Sequence, residues 1–420
     1  MELARRVRQR RMVDTPSGRP GARLFQSGLL AVHHVGLRHM LLFPSPPVDS
    51  AATQLRDDIR AFLTAEIAGR TPLQRAESWN GFDRDFSKAL GARGWLGMTW
   101  PKQYGGHERS SFDRYVVVEE TLAAGAPVSA HWIAERQSGP TLLKFGTEAQ
   151  KEAILPRIAA GDCVFCIGMS EPDSGSDLAA TRTRAERVNG GWRVTGTKLW
   201  TTNAHEADYM ILFCRTAGTP ADRHKGTSQL LVDMKATEGM TVRPILDLAG
   251  QHHFNEVHFD DAFVPESALI GTEGEGWTQV MSELAFERSG PERFLSSIQL
   301  LVELIAALQG SDSSLAHMTI GRLTAHLLIL RRLSRGVATL LEAGEDASIH
   351  AAIVKDLGAT FEQDLPEIAR NLVDAEPDRQ STRDLLAVLA YTMMSAPSFS
   401  LRGGAREILR GIIARGLGVR

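Results

Sequence analysis

Apolar residues recur at helical spacing near the start of the ordinary-looking sequence: Leu55, Ile59, Phe62, Leu63 and Ile67 fall on one face of a helix over residues 51–67. A second helix begins at Phe86 and is stopped by the glycines that follow, before Trp100-Pro101 and a Gly105-Gly106 turn. Helical signal returns from Phe112 to Ala124. Phe145-Gly146-Thr147-Glu148 then sets a helix end beside a capping threonine, and the stretch from Leu155 to Gly161 closes the helical region. From about Cys163 to Phe263 the period shortens to two. Trp192-Arg-Val-Thr, Tyr209-Met-Ile-Leu-Phe, Ser228-Gln-Leu-Leu-Val-Asp and Glu256-Val-His-Phe alternate as strands joined by Gly- and Asn-containing turns. Past Val264-Pro265 and the glycines between Gly271 and Gly276, the helical period resumes to the end. Phe294, Ile298, Leu301, Val302 and Ile305 mark one helix, and Ile320, Leu323, Leu327, Leu330 and Leu333 another.

These period changes divide the chain into an N-terminal helical domain over 48–160, a central β domain over 161–270 and a C-terminal helical domain over 271–420. Residues 1–47 stand apart as an extension expected to be disordered or misassigned. The first fifty residues hold eight arginines against three acids, with no sustained period. Such a stretch reads as a transit peptide, which implies a mitochondrial matrix, or as an artefact of start-site choice with Met40 rather than Met1 as the true start, which implies a bacterial-like cytoplasmic protein.

Composition narrows the field only a little. A chain of 420 residues with 43% hydrophobic content, 23% charged content and a formal net charge of −3 has no basic field for nucleic acid. No apolar run has the length of a membrane span, because Glu303 breaks the best candidate around Leu300–Leu308. Three cysteines suit a reducing compartment, and Cys163-Val-Phe-Cys166 lacks the second pair that zinc requires. His252, His253 and His258 alternate with apolar residues without a carboxylate at ligand spacing, so no metal site is expected.

The stretch from Cys166 to Asn203 carries the chemistry. Its first segment reads Cys-Ile-Gly-Met-Ser-Glu-Pro-Asp-Ser-Gly-Ser-Asp, and its second reads Gly196-Thr-Lys-Leu-Trp-Thr-Thr-Asn203. Two β segments ending in hydroxyl residues beside a glycine corner let backbone N–H groups approach an electron-rich ring edge. Trp200 taken alone reads equally as a core aromatic or as a stacking surface.

Both segments, in order and spacing, resemble the flavin signature of the acyl-CoA dehydrogenase family, and the resemblance extends over residues 48–420. It implies an α+β fold with an N-terminal helical domain, a central antiparallel β domain and a C-terminal four-helix bundle. It also implies FAD as cofactor and an acyl-CoA thioester as substrate. The implied reaction removes a Cα proton and a Cβ hydride to give the 2-enoyl-CoA, with electrons passing to an electron-transfer flavoprotein. A proton beside a thioester is too weakly acidic for a free carboxylate to remove quickly, so a positioned base and an oxyanion pocket are required. Side chains cannot accept a hydride, so the cofactor is required as well.

By the same resemblance, Ile167, Met169, Ser170, Ser176, Trp200, Thr202 and Glu407 bind the flavin, while Ser176 and Arg288 meet the substrate. Family members carry their base either just before a C-terminal Gly-Thr or on the helix that opens the last domain. Here the first position is Gly403, whereas Gly276 to Arg288 runs in register with the members that use the second. The implied base is Glu287. Read without the resemblance, Glu287 is first an exposed helical acid paired with Arg288 or Arg293, and Glu283 and Glu292 are rival acids.

Two departures stand out. The Arg-x-x-Phe-Gly and Gln-x-x-Gly-Gly motifs that hold the AMP half of FAD in many members are absent from Leu308–Arg322 and from Tyr391–Pro397, and Ala405 replaces a cofactor-touching threonine. The resemblance therefore leaves open a homodimer or homotetramer, a heterotetramer with a second acyl-CoA dehydrogenase-like chain, a catalytically silent partner subunit, and an oxygen-using oxidase of the same fold.

Overall fold

Short capping motifs set the ends of the first helical layer. The computed structural model describes residues 42–44, 50–287, 290–375 and 383–419, with the side chains at 50, 51, 283–287 and 375 outside that description. The layer comprises α1 (Ser50–Glu66), α2 (Pro72–Ala76), α3 (Arg84–Ala92), α4 (Ser111–Ala124), α5 (Ser129–Ile133), α6 (Gly139–Phe145) and α7 (Glu148–Ala159). Thr147 accepts from the Gln150 backbone N–H at 3.2 Å and the Gln150 side chain accepts from the Thr147 N–H at 3.0 Å, a reciprocal cap that starts α7 after Gly146 has ended α6. The expected stripe of α1 is buried: Leu55, Ile59, Phe62, Leu63 and Ile67 pack with Phe86, Leu90, Trp95, Val116 and Val117 from α3, its following turn and α4. Each such side chain contributes about 1.5–3 kcal/mol when fully removed from water. The arginine-rich start lies outside the described residues.

The central sheet has seven strands: β1 (Phe165–Gly168), β2 (Arg184–Val188), β3 (Gly191–Thr202), β4 (Tyr209–Arg215), β5 (Thr227–Asp233), β6 (Met240–Leu246) and β7 (His252–Pro265). Its order is β1-β4-β2-β3-β7-β6, with β5 also on β4. The expectation of an antiparallel sheet holds for β3 with β2 and β7, β4 with β5, and β6 with β7. β1 and β2 run parallel to β4, so the sheet is mixed. Trp192, Val194, Met210, Leu212, Val257 and Phe259 fill one face of the sheet from alternate positions. Cys163 and Cys166 are buried free thiols beside and within β1. Burial pushes the Cys163 thiol up to about 12, which removes any nucleophilic character at neutral pH.

The last layer comprises α8 (Gly276–Glu287), α9 (Ile298–Ala307), α10 (Ser314–Glu342), α11 (Ser348–Ala375), α12 (Arg383–Phe399) and α13 (Arg406–Gly416). α9 to α12 pack as the expected bundle, and α13 lies on α11. Phe294, expected on the same helix as Ile298, instead sits buried in the turn before it, because Pro291 opens a separate 3-10 turn and α9 begins only at Ile298. Val302 and Ile305 are each 44% exposed, so the apolar stripe of α9 is wider than the face it buries within this chain. Among the described residues, no helix is long and apolar enough to cross a membrane.

Candidate functional site

β3 breaks step where it passes the segment following β1. Its register with β7 shifts between Lys198 and Thr201, two residues standing against one, which is a β-bulge. Trp200 sits in that bulge with φ at +58°, a left-handed conformation that L-residues enter at a cost of about 1–2 kcal/mol. The bulge turns the indole outward, 57% exposed, with Phe254 of β7 edge-on at 5.8 Å. A strained, exposed tryptophan held by its own strand pairing has the form of a stacking surface rather than a core residue.

The two signature segments are locked together from beneath. The Leu199 N–H donates to the Ser170 carbonyl at 2.8 Å. The Lys198 ammonium donates to the Met169 carbonyl at 3.0 Å, to Glu171 Oε1 at 2.7 Å and to Thr181 Oγ1 at 3.2 Å. Glu171 accepts further from the backbone N–H groups of Arg182 at 2.7 Å and Thr183 at 2.9 Å. Lys198 and Glu171 side chains are 0% and 5% exposed. Burial alone would raise the Glu171 pKa, but the Lys198 charge and these hydrogen bonds outweigh it and hold the carboxyl to about 2. Burial in turn pulls the Lys198 pKa below its ordinary value, with Glu171 opposing. The signature Glu and Lys thus act inside the sheet, a role that spacing in the sequence did not disclose.

Above this pair, Ile167, Met169, Ser170 and Thr202 are half-buried around Trp200. Among the described residues no side-chain hydrogen bond engages the hydroxyls of Ser170 or Thr202, which leaves both for a polar ring edge. The residues present therefore fit the isoalloxazine end of FAD. Ser176 is exposed on the loop after Glu171, and Glu407 is exposed in the first turn of α13, which packs on α11 rather than on these strands. For the adenylate half, neither stretch where many members carry their motif forms a matching cradle among the described residues. The stretch from Leu308 to Ser313 is the short α9–α10 connection ending in the Ser313 cap, and Tyr391–Pro397 lies inside α12.

The helix of the expected base starts hard against the sheet. A Cβ at Gly276 would stand 2.7 Å from the Ser228 backbone, so only glycine lets α8 begin on β5. α8 then passes α6, where Lys144 Nζ donates to Ser282 Oγ at 2.7 Å, and a π-helical turn over Ala134–Ser138. Glu287 is its last helical residue. The side chains of Glu283 and Glu287, and Arg288 as a whole, lie outside the described residues. The third acid, Glu292, is buried and paired with buried Arg136 of the π turn at 3.2 Å. Its carboxylate folds over Gly290, within 1.8 Å of where a Cβ would stand.

Sequence reading passed over this interior network. Arg114 and Glu135 form a bidentate pair at 2.8 and 2.6 Å. The guanidinium of Arg136 stacks 4.0 Å over Trp132, and that of Arg402 stacks 4.0 Å over Trp79. The available signal was the polar run Glu135-Arg-Gln-Ser138 between the apolar Trp132-Ile133-Ala134 and Gly139-Pro140, where a helix packed on both sides should have had none. π turns are rare and frequent at functional sites.

Residues 49–162 match the acyl-CoA dehydrogenase N-terminal domain and residues 166–262 the acyl-CoA dehydrogenase middle domain. Acyl-CoA dehydrogenase FadE29 of Mycobacterium tuberculosis is 33% identical over 374 residues, covering 86% of this chain and 95% of that protein. Acyl-CoA dehydrogenase IpdE1 of the same organism is 31% identical over 373 residues, covering 86% and 96%. Among solved structures, the Tcur3481-Tcur3483 steroid ACAD superposes with a TM-score of 0.79 at 29% identity, covering 89% of this chain and 98% of that one. The ChsE4-ChsE5 complex from Mycobacterium tuberculosis gives 0.77 at 29%, covering 89% and 99%.

Proposed function

Because the chain belongs to the acyl-CoA dehydrogenase family, we propose that it dehydrogenates an acyl-CoA thioester between Cα and Cβ, with FAD as cofactor, Glu287 as base and an electron-transfer flavoprotein as acceptor. The observation that carries the reading is the Trp200 bulge. A left-handed, outward-facing indole flanked by disengaged hydroxyls is costly to build and serves a planar ring. FAD, when bound, supplies the hydride acceptor. The chain's part is to hold that ring against Met169, Ser170, Trp200 and Thr202, to present the thioester through Ser176 and Arg288, and to take the Cα proton on the Glu287 carboxylate. Exclusion of water by the acyl chain raises the basicity of that carboxylate at the moment it is used.

The assay is anaerobic flavin bleaching on addition of acyl-CoA thioesters. Glu287→Gln should keep bound flavin and lose bleaching by about two to four orders of magnitude, the scale for removing a positioned base. Undiminished bleaching transfers the role to Glu283 or Glu292.

The departure from the adenylate-binding motifs at Leu308–Arg322 and Tyr391–Pro397 favours a second reading of the assembly. Tcur3481-Tcur3483 and the ChsE4-ChsE5 complex each join two differently named chains, and we propose that a second acyl-CoA dehydrogenase-like chain completes the AMP half of the FAD site here. A colourless purified chain that takes up flavin only with such a partner supports it, and a yellow homo-oligomer contradicts it.

A further inference from the structure

The connection between β4 and β5 holds a backbone outlier of its own. The Lys225 N–H donates to the Asp222 carbonyl at 3.2 Å across a four-residue turn, and Arg223 takes its second position at φ +59° and ψ −123°. That is a type II′ turn, whose second position glycine dominates because a Cβ is strained there. The same connection does use glycine at its two other left-handed positions, Gly218 and Gly226. An arginine kept where the backbone suits glycine breaks a local rule, and such breaks are retained where the side chain is used.

The guanidinium reaches across to the first signature segment. Nη1 and Nη2 of Arg223 donate to the two carboxylate oxygens of Asp177 at 2.8 and 2.5 Å, a two-pronged pair that is half-exposed on both sides. These hydrogen bonds hold the Asp177 carboxyl below its ordinary range. Asp177 ends the loop that follows β1. The near end of that loop is fixed by Lys198 on Glu171 and by reciprocal backbone bonds between Glu171 and Ser174 at 2.7 and 3.1 Å. Beyond Ser174 the chain runs out through Gly175, where a Cβ would meet nothing within 4 Å, and through exposed Ser176. Among the described residues, the Arg223 pair is the one side-chain tie from residues 175–177 to another element. The turn itself is held independently. Buried Arg215 donates to the carbonyls of Arg223 and Lys225, each at 2.7 Å, of Ala179 at 3.1 Å and of Thr181 at 3.2 Å, and these contacts use the backbone of residue 223 rather than its side chain.

Resting on the dehydrogenation reading, in which Ser176 meets both flavin and thioester, we propose that Arg223 is a positioning residue that acts through Asp177 to fix the outer end of the Gly175-Ser176 corner. The strain of its turn is retained for that clamp. Its effect falls on binding, because the Trp200 bulge and the start of α8 are anchored elsewhere, on β7 and β5.

The test compares Arg223→Gly, Arg223→Ala and Arg223→Lys with wild type in the full-length protein, with its partner chain where flavin uptake needs one. It reads the melting temperature, the FAD dissociation constant by titration, and the half-saturating concentration and limiting rate of bleaching by whichever thioester of a butyryl- to palmitoyl-CoA panel bleaches wild type fastest. Arg223→Gly should melt no lower than wild type, since strain leaves with the clamp, while Arg223→Ala keeps the strain and should melt below it. Both should nevertheless bind FAD and thioester about two- to five-fold more weakly, the reach of one exposed ion pair, with the limiting rate kept. Arg223→Lys, which has the charge without the fork, should fall in between. Raising sodium chloride from roughly 0.05 to 1 M should narrow the gap between wild type and Arg223→Gly, as salt screens the pair. Asp177→Asn should reproduce the loss and add nothing to Arg223→Gly. Wild-type affinities in Arg223→Gly, losses that follow melting temperature across the three variants, or losses that add in the double variant overturn the proposal. If no thioester bleaches wild type, the dehydrogenase reading fails while the FAD titrations still decide the role of Arg223; absence of FAD binding refutes both.

Discussion

Replacing Lys198 by Met strands a carboxylate inside the sheet. The ammonium is 2.7 Å from Glu171 Oε1, with the two side chains 0% and 5% exposed, so solvent screens neither. The Glu171 pKa is held from 4.5 to about 2, which corresponds to roughly 3 kcal/mol of differential stabilisation of its charged form. Breaking a buried pair by deleting one partner costs about 3–5 kcal/mol, so the two routes agree. Lys198→Met should therefore lose about that much in urea unfolding at neutral pH. Lys198→Met with Glu171→Gln should recover at least half of it, because the stranded charge is gone. The pH dependence has a defined sign. A depressed carboxyl pKa gives stability that is complete above about 4.5 and is lost as pH falls towards 2. In Lys198→Met that loss should shrink or reverse, since protonating a stranded carboxylate relieves it. A cost under about 1 kcal/mol, as exposed pairs give, or a double variant no more stable than Lys198→Met, refutes the claim that this pair clamps the two signature segments.

Two other perturbations separate stability from ring binding and from acid sensitivity. Trp200→Gly removes a left-handed L-residue worth about 1–2 kcal/mol of strain, so the apo-protein should melt no lower than wild type while flavin affinity, followed by titration, falls; a lower melting point with affinity intact contradicts the assignment. His131, buried with Nδ1 2.8 Å from Ser87 Oγ, has its pKa pushed by burial from 6.5 to about 4, with nearby Glu135 opposing. The unfolded chain protonates this ring first, so stability should fall by roughly 3 kcal/mol as pH drops from 6.5 to 4, and His131→Gln should flatten that part of the profile; an unchanged slope argues against it.

Elements with one buried face were legible in the sequence. The α1 stripe and the Thr147 cap each follow from local chemistry that tertiary packing reinforces, whereas β4 and β5, legible as strands, are buried on both faces rather than on one. β6 was not legible. Its Met-Thr-Val-Arg-Pro-Ile-Leu run contains Pro244, which a strand accepts only at a sheet edge, and β6 is the edge beyond β7. The outward turn of Trp200 was hidden for a related reason. A bulge depends on the count of residues in the partner strand, and that count is set by β7, more than fifty residues away in the sequence.

The proposed position of the base rests on register with the family, and the fold bears on the alternative position at 403. Gly403 has φ at +72°, and a Cβ there would meet the Arg293 guanidinium at 2.9 Å. An acid at 403 would need both a strained backbone and the displacement of a buried arginine. The glycine at 403 and the buried Arg293 guanidinium beside it thus suit one another. Glu292, meanwhile, is tied to Arg136 inside the helical layer, which fits it for balancing charge rather than for receiving a proton from substrate. That sets Glu292 aside, and of the two acids left on the helix that Gly276 anchors to the sheet, Glu287 is the one we propose as the base.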